Sequence, residues 1–133
     1  MSVNGLRVAL TTEDFDRVVA FYRDGLGLDP GELWTEADGG RGQLFFAGQA
    51  SLEVFDSKYA GHIDALEAGR RVSGKIRFVF EVRDVKEAVA RALAYGAVLV
   101  HEPKLTPWGD WNARLQSPDG LQITLFQPGQ GQV

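Results

Sequence analysis

The residues best equipped for chemistry sit in two matched stretches. Arg7 opens Val8-Ala9-Leu10-Thr11 with Glu13 and Asp14 behind it, and seventy positions on Arg77 opens Phe78-Val79-Phe80-Glu81-Val82 with Asp84 behind it. In a half-buried strand alternate residues share a face. The more uniformly apolar set, Val8, Leu10, Leu52, Val54, Phe78, Phe80, Ile123 and Leu125, belongs under helices. The opposite set is mixed and partly charged: Arg7, Ala9 and Thr11; Ser51, Glu53 and Phe55; Arg77, Val79 and Glu81; Gln122, Thr124 and Phe126. A solid core does not tolerate such charges unpaired, so this second surface is expected to be an open cup that holds water or a ligand.

Arg7, Glu53 and Arg77 admit two readings. In one, Glu53 bridges both arginines and seals the floor of the cup as a structural ion-pair cluster. In the other, one or both guanidinium groups face a ligand and clamp a carboxylate or carbonyl oxygen. Glu81, on the same face, is the candidate catalytic base, provided burial raises its pKa. Trp34, Trp108 and Trp111 are candidate aromatic walls, and Trp108, in Pro107-Trp108-Gly109, is the one most expected to touch a ligand. One of Phe45 and Phe46 must be core, because neighbours on a strand point opposite ways. His62 and His101 stand alone in the sequence and receive no catalytic role.

The elements that must position these groups follow from periodicity. Residues 6–11 read as a strand after a short lead-in, with Thr11 and Asp14 as a capping box for what comes next. Phe15, Val18, Val19 and Tyr22 recur at helical spacing, and Gly25 stops them. Strands are expected at 33–35, 43–47 and 50–55, with Asp38-Gly39-Gly40-Arg41-Gly42 as a hairpin tip, since no helix follows those glycines to make a phosphate cradle. Residues 57–74 read as a linker with a short helical patch around 63–66. The order then repeats: a strand at 77–82, a helix on Val85, Ala88, Val89, Ala92 and Leu93 stopped by Gly96, and strands at 97–101, 111–116 and 121–126. Pro103 to Asp110 reads as loop, Ser117-Pro118-Asp119-Gly120 as a tight turn, and the tail past 128 as loose. Two copies of one unit, 1–56 and 75–128, thus form a single domain, neither copy able to bury its apolar face alone.

Bulk properties set the outer bounds. The chain has 133 residues, 44% hydrophobic and 24% charged, with a net charge of −4. That balance argues against nucleic acid, which needs clustered Lys and Arg. No cysteine is present, which excludes thiolate nucleophiles, disulfides and cysteine metal sites. No apolar run has signal-peptide or membrane-spanning length, so no membrane partner is expected and the expected location is the cytoplasm.

The run Arg7-Val8-Ala9-Leu10, the run Phe21-Tyr22-Arg23-Asp24-Gly25-Leu26-Gly27-Leu28, Pro107-Trp108-Gly109 and Ser117-Pro118-Asp119-Gly120-Leu121-Gln122-Ile123-Thr124-Leu125 together resemble the vicinal oxygen chelate superfamily, which groups glyoxalases, bleomycin resistance proteins and extradiol dioxygenases. The resemblance implies an α+β fold: two βαβββ repeats forming an eight-stranded curved sheet, a cup with helices on its outer face, usually in a homodimer. It also implies that the family's metal positions fall on Arg7, Glu53, Arg77 and Thr124. Only Glu53 of these is a plausible ligand; a permanently protonated guanidinium repels a cation, so no metal and no cofactor are expected.

Three functions follow from the resemblance. The first is a metal-free small-molecule-binding protein like the bleomycin-resistance branch, sequestering a planar antibiotic against Trp34, Trp108 and Trp111. The second is a glyoxalase-like lyase or isomerase acting on a small carbonyl compound through a metal or Glu81. The third is a dioxygenase-related enzyme, which needs iron on two histidines and a carboxylate. The matched positions offer no histidine.

Overall fold

The computed structural model describes residues 3–129. The chain runs β1 (Val3–Thr11), α1 (Phe15–Ala20) continued by a π-turn over Phe21–Gly25, β2 (Asp29–Thr35), β3 (Arg41–Ala47), β4 (Ala50–Phe55), α2 (Ser57–Ala68), β5 (Ile76–Val82), α3 (Val85–Ala94), β6 (Val98–Leu105), β7 (Trp111–Gln116) and β8 (Gln122–Gln127). One mixed sheet carries all eight strands in the order β2-β3-β4-β1-β5-β8-β7-β6. Each unit places its first strand parallel to its last, β1 on β4 and β5 on β8, and β1 meets β5 antiparallel at the centre. The expected α+β cup of two βαβββ units is the observed architecture. The tail expected to be loose lies mostly outside the described residues.

The period-two pattern assigns the faces. Phe15 and Val19 of α1 pack on Phe45 and Val54, while Val85 and Val89 of α3 pack on Val82, Ala113, Leu115 and Leu125. Each fully buried side chain of this size contributes about 1.5–3 kcal/mol. Phe45 is therefore the core member of its pair, and Phe46 is 51% exposed.

Three local differences from the sequence reading have physical causes. Strand β6 runs through Pro103, and β2 contains Pro30; both are edge strands, where a missing N–H costs no ladder bond. The expected capping box does not form: Asp14 is the N-cap of α1 without a side-chain cap bond, and the Thr12 hydroxyl accepts from the Asp14 N–H at 3.1 Å in the turn before it. The joining segment is a full helix, α2. Asp56 caps it by accepting from the Tyr59 N–H at 2.8 Å, and Gly69 ends it at φ 76°, the left-handed region that favours glycine.

That helix has a consequence for the site. Whereas α1 and α3 cover the outer face, α2 lies on the concave face, with Tyr59 and Ala60 packed on Ala9 and Phe55, and Trp34 beside them.

Candidate functional site

Cup-face residues of six strands, α2 and the loop after β6 enclose a cavity of about 330 Å³. Arg7, Glu53, Arg77 and Thr124 all line it, as do Trp34 and Trp108. Register explains the meeting: Ala9 pairs with Glu53 on one side and Arg77 on the other, and Val79 pairs with both Arg7 and Thr124. Phe55, Tyr59 and Phe126 complete the aromatic wall. Trp34 stacks on Tyr59 with ring centres 6.1 Å apart, and its indole N–H donates to Glu32 at 3.0 Å. Gly42 makes that wall possible: a Cβ there would stand 2.8 Å from the Phe55 ring and 3.0 Å from the Trp34 ring.

Trp111 and Glu81 do not join the lining. Trp111 shares strand parity with Ala113 and Leu115, which pack under α3, so its ring stands on the outer face. Glu81 keeps the cup-face parity of Arg77 and Val79 but lies beyond the cavity, beside Gly5.

The expected three-residue cluster is arranged differently from a bridge. Arg77, almost completely buried, donates to the Thr124 hydroxyl at 2.7 Å and lies 3.8 Å from the Glu67 carboxylate. Burial pulls the Arg77 guanidinium below its ordinary pKa, and Glu67 pulls it back up. Arg7 lies over the Phe126 ring, 5.0 Å from its centre. Among the described residues Glu53 makes neither a hydrogen bond nor an ion pair within 4.0 Å, although it is only 9% exposed. Burial pushes its carboxyl above the ordinary carboxylate range; the Arg77 and Arg7 charges oppose that rise, and Glu67 adds to it. The same desolvation pushes the Tyr59 phenol up to about 12, with Glu36, Glu53 and Glu32 adding to it.

A second polar group, absent from the sequence reading, anchors α2. Arg114 of β7 is 0% exposed and donates to Asp64 at 2.9 Å and to Glu67 at 2.7 Å. Thr124 also donates to Glu67, at 3.0 Å. Asp64 further accepts from the Ser73 hydroxyl, from the Ser73 and Val72 N–H groups and from Arg71, at 2.6 to 3.0 Å. Burial alone would raise the Asp64 carboxyl, but these donors outweigh it and hold it far below the usual range. The signal was available: parity along β7 puts Asn112 and Arg114 on the cup face, and the i,i+3 spacing of Asp64 and Glu67 puts both on one side of a helix. Asn112 also lines the cavity, and its buried amide oxygen has no hydrogen-bond partner. His62, read as isolated, pairs with Glu36 at 3.1 Å.

The donor set does not suit a divalent metal. Of the four family positions, two are guanidinium groups, the Thr124 hydroxyl is engaged by Arg77 and Glu67, and one carboxylate remains. Among the described residues no group of three or more His, Cys, Asp or Glu could hold a metal ion.

An open eight-stranded cup built from two βαβββ units, with its cavity at the junction of the units, defines a class of small-molecule-binding folds. The model of the Glyoxalase/Bleomycin resistance protein/Dioxygenase superfamily matches residues 6–125, and the chain belongs to that superfamily. No curated protein matches the sequence. Solved structures with the same fold include a hypothetical protein from Bacillus halodurans, 15% identical over 98% of this chain and 97% of its own, with a TM-score of 0.71. A superfamily member from Vibrio splendidus is 16% identical over 95% and 99%, TM-score 0.63. The methylmalonyl-CoA epimerase of Mycobacterium tuberculosis is 18% identical over 98% and 90%, TM-score 0.62. Among the described residues no helix is long and apolar enough to cross a membrane.

Proposed function

We propose that this chain is a metal-free small-molecule-binding protein whose cup holds a flat ligand between aromatic walls. The observation that carries the reading is the Glu53 carboxyl: buried, without a hydrogen-bond partner among the described residues, and facing a cavity walled by Trp34, Phe55, Tyr59, Trp108 and Phe126. A carboxyl that faces a cavity and makes no hydrogen bond within its own protein is open to a ligand that donates to it. Sequestration of a planar antibiotic is one use such a cup serves.

The test is a titration of intrinsic tryptophan fluorescence with small aromatic and bleomycin-like compounds. A saturable change is expected, and Val79→Phe, which fills the cavity from β5, should abolish it. A flat response to every compound, or a response that Val79→Phe leaves intact, contradicts the reading.

The same carboxyl favours a second reading, a lyase or isomerase of a small carbonyl compound in which Glu53 moves a proton. A carboxyl lifted by burial is suited to general acid–base work near neutral pH. Solvent deuterium entering a carbon position of the bound compound, and failing to enter with Glu53→Gln, would distinguish this activity from simple binding.

A further inference from the structure

The cavity is lined by five charged residues, and three have partners within the protein. Arg77 is held by Thr124 and Glu67, Glu67 by Arg114 and Thr124, and Asp110 accepts from the Gly129 N–H at 3.3 Å. The remaining two are of opposite sign. Glu53 has no hydrogen bond or ion pair among the described residues, and Arg7, which lies over the face of Phe126, likewise makes no hydrogen bond or ion pair among them, the two acting on each other only through their charges. In the register of β1 and β4, Arg7 pairs with Ser51 and Glu53 with Ala9, so their backbones lie on a diagonal of roughly 8 Å. Aromatic side chains are among the lining of the cavity they share.

From this arrangement we infer that the ligand is amphoteric: a flat ring that carries a protonated amine toward Glu53 and a carboxylate or similar oxyanion toward Arg7. The inference rests on the reading of the cup as a binding site for flat ligands and adds the charge pattern of what it takes. An amine alone meets its partner at Glu53 but is repelled by Arg7. A carboxylate alone meets its partner at Arg7 but is repelled by Glu53. A molecule with both groups satisfies both residues and brings no net charge into a cavity where Arg77 and Glu67 already balance. An ammonium beside Glu53 also supports the ionised carboxylate that burial disfavours.

The experiment is a fluorescence titration of the full chain with four matched probes: 4-(aminomethyl)benzoate, benzylamine, benzoate and benzyl alcohol. The zwitterion should bind at least ~tenfold tighter than either singly charged probe, the scale of one charge-assisted hydrogen bond. Arg7→Met should reduce the zwitterion to the level of benzylamine, and Glu53→Gln should reduce it to the level of benzoate. Both variants keep the fold within reach, one altering an exposed side chain and the other replacing a carboxyl by an amide of the same shape. Equal binding of all four probes, or a preference that survives both substitutions, overturns the charge assignment while leaving the aromatic site standing. Binding of none overturns both.

Discussion

The two halves of the cup have the same topology and different fillings. In the second unit Arg114 pairs with Thr124 and Asn112 with Phe126; in the first, Leu44 pairs with Glu53 and Gly42 with Phe55. Arg114 stands seventy positions after Leu44, and Asn112 seventy after Gly42. One half therefore carries a buried guanidinium that draws down the acidic side of α2, and the other carries an aliphatic residue and a glycine. The result is that the carboxylates Asp64 and Glu67 of α2 are held by donors of the second unit, whereas the first unit's Glu53 carboxyl has no hydrogen bond among the described residues. The lesson is that a duplicated unit can divide labour by exchanging a few cup-face residues: one copy holds the lid helix, the other keeps an unmatched charge for something that comes from outside.

The largest way to break this comparison is to remove the anchor. Arg114→Met should cost about 3–5 kcal/mol, because it leaves Asp64 and Glu67 buried without their cation. Its counterpart Leu44→Met should cost less than about 1.5 kcal/mol. Urea unfolding of the two variants measures both, and equal losses would mean that α2 is not held by this network.

Asp64→Asn should cost roughly 2–3 kcal/mol through the weakened hydrogen bonds from Ser73, Val72 and Arg114. The pH dependence has a definite sign. The Asp64 carboxyl is held below its ordinary value of 3.8, so its stabilisation is fully present above about pH 4 and is lost as pH falls through and below that value. Melting temperature against pH should show that acid limb in the native chain and a shallower one in Asp64→Asn.

Gly42→Ala sharpens the view of the first unit. The new methyl would press on Phe55 and Trp34 and should cost about 1–3 kcal/mol by overpacking, with a change in the emission of Trp34. An unchanged emission spectrum would mean that the aromatic wall does not depend on this close approach.

The smallest effect has the opposite sign. Because burial raises the Glu53 carboxyl above its ordinary value of 4.5, ionising it in the folded chain opposes stability as pH rises through the folded value. Glu53→Gln should therefore melt a few degrees higher than the native chain at pH 8, with the difference shrinking toward pH 4. A variant less stable than the native chain at pH 8 would show that Glu53 is matched inside the protein after all.

The sequence carried the fold because alternation in β1, β4, β5 and β8 and the seventy-residue repeat are strong, redundant signals. It also placed Arg7, Glu53, Arg77, Thr124, Trp34 and Trp108 around one cavity. It did not reveal α2 as a cup-filling helix, since the buried positions of that segment include Asp64 and Glu67, residues that periodicity alone sends to solvent. Parity on β7 sets Trp111 with Ala113 and Leu115 on the outer face, and the opposite parity brings Arg114 inward with Asn112. The partners of Arg77 could not be read either, because Glu67 reaches it from an element outside both repeats.

The central claim, that the cup binds a flat ligand without a metal, is tested most directly by repeating the fluorescence titration on protein stripped with a chelator and then resupplied with zinc, nickel or manganese. The account predicts the same saturable curve, lost in Val79→Phe, under every condition. Binding that vanishes on stripping and returns with a stoichiometric divalent ion dependent on Glu53 would contradict it.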